Sequence, residues 1–120
     1  MYDHIGSKVK DVDASVRFYG AALAALGHVL CSHDDSGAGF GPTGEPALWL
    51  HRTRDPAGFG AHLAFRAADR ASVDRFHERG LQAGGRDHGR PGLRSEYNAN
   101  YYAAFLLDPD GNNVEAVYLK

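Results

Sequence analysis

Two histidines and one glutamate are the residues of this chain best placed to do chemistry together. His4 and His62 lie 58 positions apart (62 − 4), and other residues repeat at the same offset. Asp11/Asp69, Arg17/Arg75, Phe18/Phe76, Leu23/Leu81, Ala25/Ala83 and Gly27/Gly85 are identical pairs, while Ile5/Leu63 and Lys8/Arg66 keep their character. A fixed offset with matched apolar positions is the mark of an internal duplication. Alone, a strand histidine is ordinarily a satisfied polar residue. Two histidines at equivalent places can meet if the copies pair about a local two-fold axis, and convergent imidazoles begin a metal site. Glu115 is the third candidate donor. It sits among Val114, Ala116 and Val117, where a carboxylate is costly unless paired or ligating a metal. His4, His62 and Glu115 make a two-histidine, one-carboxylate set that suits Fe, Mn, Zn, Ni or Co as divalent ions.

The elements that must position these residues follow from periodicity. Residues 2–9 alternate as a strand, with Ile5, Ser7 and Val9 on one face and His4, Gly6 and Lys8 on the other. Asp11 or Asp13 caps a helix whose stripe is Val12, Val16, Tyr19, Leu23 and Leu26, stopped at Gly27. Strands are expected at 28–32, 39–41 and 47–52, with a polar turn over 33–39. After a joint at 54–60 the order repeats. A strand covers 61–67, a helix capped by Asp69 or Ser72 ends at Gly84-Gly85, and a short strand lies near Arg86. A loop over 89–98 leads to strands at 100–107 and 113–119, joined by the Asp108-Pro109-Asp110-Gly111 turn.

Each half therefore reads β-α-β-β-β, module one over about 1–53 and module two over about 60–120. The expected fold class is α+β: one domain of 120 residues whose two modules pair into an eight-stranded cup, helices outside. The apolar strand faces pack on the helices, and the faces with His, Trp and Glu line the cavity.

Composition narrows the function classes. Thirteen basic against fifteen acidic residues give a net charge of −2, so no nucleic-acid partner is expected. No apolar run approaches the roughly 20 residues that span a bilayer, and no leader precedes the first strand, so a cytoplasmic location is expected. The single Cys31 excludes an internal disulfide and a cysteine-cluster zinc site. His28, His33, His77 and His88 have no registered partner and are read as surface residues. The Gly-rich stretch 36–44 lacks the ending of a phosphate-binding loop and is read as a turn.

The segments Asp3-His4-Ile5-Gly6, Asp11-Val12-Asp13-Ala14-Ser15-Val16-Arg17-Phe18-Tyr19, Ala61-His62-Leu63-Ala64-Phe65 and Asp108-Pro109-Asp110-Gly111-Asn112-Asn113-Val114-Glu115 carry a resemblance. With them the chain resembles the vicinal oxygen chelate superfamily of glyoxalase I, bleomycin-resistance proteins and extradiol dioxygenases. The resemblance implies paired βαβββ modules around a divalent metal, a small-molecule ligand with vicinal oxygens, and a homodimer. It also implies ligands on the first and last strands of a module, matching His4, His62 and Glu115. The chain departs from it at three places. Trp49 stands where glyoxalase I-like members carry a glutamate ligand and base, leaving His51, on the same face, as a candidate fourth ligand. Asn98 and Phe105 stand where extradiol dioxygenases carry a histidine and a tyrosine. Trp49, Arg94, Tyr97, Asn98, Tyr102 and Phe105 are the expected pocket lining, and no general base is assigned. The leading expectation is a metal-dependent lyase, isomerase or dioxygenase. The alternative is a metal-free binder of the antibiotic-sequestering kind, stacking its ligand on aromatic side chains.

Overall fold

The computed structural model describes residues 1–54 and 61–120; beyond residue 54, the expected joint between modules lies outside the described residues. Module one is β1 (Ile5–Val9), α1 (Val12–Ala24), β2 (Val29–Asp34), β3 (Gly37–Gly41) and β4 (Leu48–Arg52). Module two repeats it as β5 (His62–Arg66), α2 (Arg70–Gln82), β6 (Arg86–Leu93), β7 (Tyr101–Leu107) and β8 (Asn113–Leu119). The result is two four-stranded sheets with identical topology, β1-β4-β3-β2 and β5-β8-β7-β6. In each, the first strand runs parallel to the last, with Ile5 opposite Leu48 and Leu63 opposite Val114. The fold is thus α+β, two βαβββ modules, as the duplication predicts. None of the described helices is long and apolar enough to cross a membrane.

The helices begin where the sequence offers carboxylate caps. Asp11 accepts from the Ala14 amide at 3.0 Å and Asp69 from the Ser72 amide at 2.7 Å, each satisfying an otherwise orphaned donor. Both helices end in a left-handed glycine, Gly27 at φ 88° and Gly84 at φ 101°. The His28 amide bonds Leu23 O at 3.0 Å and the Gly85 amide bonds Gly80 O at 2.8 Å, the paired closure that such glycines permit. Gly84, and not the offset-matched Gly85, is therefore the structural counterpart of Gly27. Gly85 serves packing instead: a Cβ there would lie 2.4 Å from Phe18 Cε1.

The core joins the modules. Phe18, Ala22 and Leu23 from α1 share one buried cluster with Val73 and Phe76 from α2, and with Leu106, Val114 and Ala116 from the second sheet. Three local expectations change. The turn after β2 is only 35–36, because Asp34 accepts from the Ser36 amide (2.8 Å), the Ser36 hydroxyl (2.6 Å) and the Gly37 amide (3.2 Å), closing a tight Asx-type turn. Strand β6 runs to Leu93 through Gly89, Pro91 and Gly92, since an edge strand with register shifts tolerates them. The loop shrinks to 94–100. His77 is buried, not superficial: its Nε2 lies 2.8 Å from Asp87 Oδ1 and ties α2 to β6. The bond from His77 holds the Asp87 carboxyl below its ordinary range.

A buried tyrosine anchors the last hairpin to α1. The Tyr19 hydroxyl donates to Asp108 Oδ2 at 2.6 Å, and Asp108 also accepts from the amides of Asp110 (2.9 Å) and Asn112 (2.8 Å). Burial, and then the neighbouring Asp108, push the Tyr19 pKa well above 10. Because the folded value exceeds the unfolded one, this group's contribution is fully present below about pH 10 and is lost as pH rises beyond it. Urea-unfolding midpoints measured from pH 8 to 11 are expected to fall at the alkaline end, and to fall less steeply in Tyr19→Phe. At neutral pH the same substitution removes one donor from Asp108 and is expected to cost about 1–3 kcal/mol.

Candidate metal and ligand site

Strand alternation sends Val114, Ala116 and Tyr118 of β8 to the helix side, and Glu115 to the other. Glu115 is 2% exposed. One oxygen, Oε1, lies 3.0 Å from His62 Nε2; the other, Oε2, accepts from the Tyr101 hydroxyl. Burial, and then this bond to Glu115, push the Tyr101 pKa up to about 12. The His62 side chain is 47% exposed, and its ring stacks on Phe105 at 6.3 Å between centroids. Tyr97 meets Tyr101 edge-on at 5.1 Å. His62, Tyr97, Tyr101, Phe105, Asn113 and Glu115 surround a cavity of about 430 Å³.

Of the predicted donors, the structure brings His62 and Glu115 together and leaves His4 apart. The His4 Nδ1 lies 2.7 Å from its neighbour Asp3, and the side chain is 60% exposed. His4 and His62 do border a second, apolar cavity of about 450 Å³ between the modules, with Ile5, Leu48, Leu63 and Phe65. Among the described residues no three His, Cys, Asp or Glu side chains gather closely enough to hold a metal. The fourth candidate, His51, lies opposite Lys8 and Gly37 on module one's own sheet, away from the Glu115 cavity.

The expected lining divides in the same way. Tyr97 and Phe105 line the Glu115 cavity; Trp49, Arg94, Asn98 and Tyr102 do not. Tyr102 points to the helix side, where its hydroxyl donates to Asp74 at 2.6 Å and Arg70 stands over its ring. Arg94 spends its guanidinium on the carbonyls of Gly92 (2.9 Å) and Arg90 (2.7 Å) and stands 5.4 Å over Phe105. Asn98 closes the 94–100 turn by accepting from the Asn100 amide at 2.8 Å. Sequence reasoning missed Tyr101 and Asn113. Phe105 lies directly opposite Glu115, so residues 101, 103 and 105 share the glutamate's face; alternation alone does not give that register.

The duplication explains why only one module carries this site. In the last strands the structural offset is 66 (114 − 48), because Leu48 and Val114 occupy equivalent positions. Trp49 then matches Glu115, and Gly39 matches Phe105. The Trp49 ring occupies the space over Gly39, where a Cβ would lie 2.7 Å from it. Position 35, matching Tyr101, falls in the tight β2–β3 turn. Module two instead has a longer hairpin, whose 94–100 segment brings Tyr97 over the cavity.

The donor set fits a divalent ion. Imidazole nitrogen and carboxylate oxygen suit Fe, Mn, Zn, Ni and Co alike. Asn113 adds a buried amide oxygen that meets no partner among the described residues.

Paired βαβββ modules, with a histidine on the first strand of one and a glutamate on its last, define a protein of the vicinal oxygen chelate class. Comparison with known proteins makes this specific: the glyoxalase-like domain family matches residues 4–117, and the chain belongs to that family. A glyoxalase/bleomycin resistance protein from Albidiferax ferrireducens T118 superposes with a TM-score of 0.80 at 30% identity, over 98% of both chains. A glyoxalase/bleomycin resistance protein/dioxygenase family enzyme from Burkholderia phytofirmans PsJN shares the fold at 18% identity and a TM-score of 0.75, again over 98% of both. A glyoxalase I variant from Zea mays has a TM-score of 0.71 at 23% identity, over 97% of this chain and 43% of its own. No curated protein matches the chain.

Proposed function

We propose that this chain is a metal-dependent enzyme acting on a small molecule with two adjacent oxygens, as a cytoplasmic homodimer. One observation carries the reading: a buried carboxylate offers an oxygen 3.0 Å from the imidazole nitrogen of His62, at the wall of an aromatic cavity. His62 and Glu115 would hold the divalent ion, with His4 as third donor. That His4 comes from a second copy. It stays apart within the chain, and among the described residues β1 and β5 each pair along only one edge, leaving the other edge for a partner strand. A divalent ion bound there supplies Lewis acidity to a chelated pair of oxygens, for isomerisation, lyase chemistry or oxygen insertion. Of the chain's own residues, Tyr97 and Phe105 bound the ligand.

A second reading, a metal-free binding protein, draws on a different observation. Both oxygens of Glu115 already have partners, His62 and Tyr101, so the carboxylate is satisfied without an ion. Elemental analysis of protein purified without chelator separates the two. The first reading expects stoichiometric metal in the wild type and loss of it in Glu115→Gln, which keeps the shape but not the charge. A wild type that neither carries metal nor takes it up on titration leaves the metal-free binder.

A further inference from the structure

We infer that Tyr101 is the positioning residue of the metal site, fixing Glu115 as a ligand through a single oxygen. The inference rests on the metal reading above and adds to it a residue outside the two-histidine, one-carboxylate set. A free carboxylate has two equivalent oxygens and can swing to give either or both to an ion. Glu115 is not free to do so. Its Oε2 is taken by the Tyr101 hydroxyl, which as an ordinary phenol is a donor at neutral pH. Its Oε1 is left facing His62 Nε2. His62 Nε2 and Glu115 Oε1 would be the atoms offered to an ion, while the Tyr101 hydroxyl keeps Oε2.

The tyrosine is itself held in place. It opens β7 on the glutamate's face, four residues before Phe105, and reaches Glu115 diagonally across the β7–β8 pair. Its ring packs edge-on against Tyr97 from the 94–100 turn, and its amide bonds Asn98 O at 3.1 Å. The longer hairpin of module two therefore ends in a device that orients the ligand. Module one, which has Trp49 in place of the glutamate, has no such tyrosine.

Outer partners of this kind typically change metal affinity by about 10–100-fold when removed. The test is titration of the metal-free full chain with Co(II), followed by the visible d–d absorption of the bound ion. The wild type is compared with Tyr101→Phe and Tyr102→Phe. The second variant loses a phenol hydroxyl from the adjacent residue, but on the opposite face, where it serves Asp74. Tyr101→Phe is expected to weaken Co(II) about 10–100-fold and to alter the d–d bands as the released Oε2 reaches the ion. Tyr102→Phe is expected to match the wild type in both. Equal affinity and an unchanged spectrum in Tyr101→Phe overturn the inference and leave the metal site standing. Equal losses in both variants also overturn it, since the effect would then belong to the strand. A wild type that takes up no Co(II) overturns the metal reading and this inference together.

Discussion

Phe18→Ala is expected to lower the unfolding free energy by about 3–5 kcal/mol, near the top of the range for buried aromatic truncations. Phe18 is fully buried and is the point where module one enters module two. Its ring edge is the nearest obstacle to a side chain at Gly85 and a close one at Gly80, where added Cβ atoms would lie 2.4 Å and 3.3 Å from it. Its ring also meets the Tyr19 ring edge-on at 4.9 Å. Removing the ring opens a cavity flanked by two glycines with no side chain to swing in, so relaxation is limited and the cavity cost persists. Phe18→Leu, which refills most of the volume, is expected to lose no more than about 1.5 kcal/mol. Urea unfolding of the two variants measures both numbers. A loss below about 1 kcal/mol for Phe18→Ala would mean that the contact between modules is not held through this side chain.

That packing also marks where sequence reasoning stopped. The two copies, their element order and the helix caps are legible because strand alternation and helical stripes are local properties, and duplication states them twice. Glu115 is legible because a carboxylate in an apolar strand demands a reason. Tyr101 against Tyr102 is a different kind of question. Alternation says that the two face opposite ways, and only the register across the hairpin says which one reaches Glu115. His77 was legible in principle, since Val73, Phe76, His77 and Gly80 lie on one helical stripe. Its partner Asp87 lies beyond the helix, where periodicity carries no information. The glycines at 80 and 85 show the same limit. A glycine signals a turn when read locally, yet here Gly85 makes room for the Phe18 ring of the other module, and Gly80 for Leu106 of its own module and then for Phe18.

The remaining question is which chain's His4 completes the site, and one mixing experiment decides it. His4→Ala and His62→Ala are each expected to abolish stoichiometric metal uptake, because each site loses one of its three donors. If His4 acts across a dimer, the two defects reside in different halves of different sites. In a heterodimer of the variants, one site combines the mutated His4 with the mutated His62. The other combines an intact His4 from the His62→Ala chain with an intact His62 and Glu115 from the His4→Ala chain. Unfolding and refolding the two variants together at equal concentration makes about half the dimers mixed, each with one intact site of two, so about a quarter of the wild-type metal capacity should return. If instead His4 closes onto His62 within its own chain, through the apolar cavity that both border, every chain in the mixture remains defective and none returns. Recovery near a quarter, absent from either variant refolded alone, would establish that the site is shared between two copies of the chain.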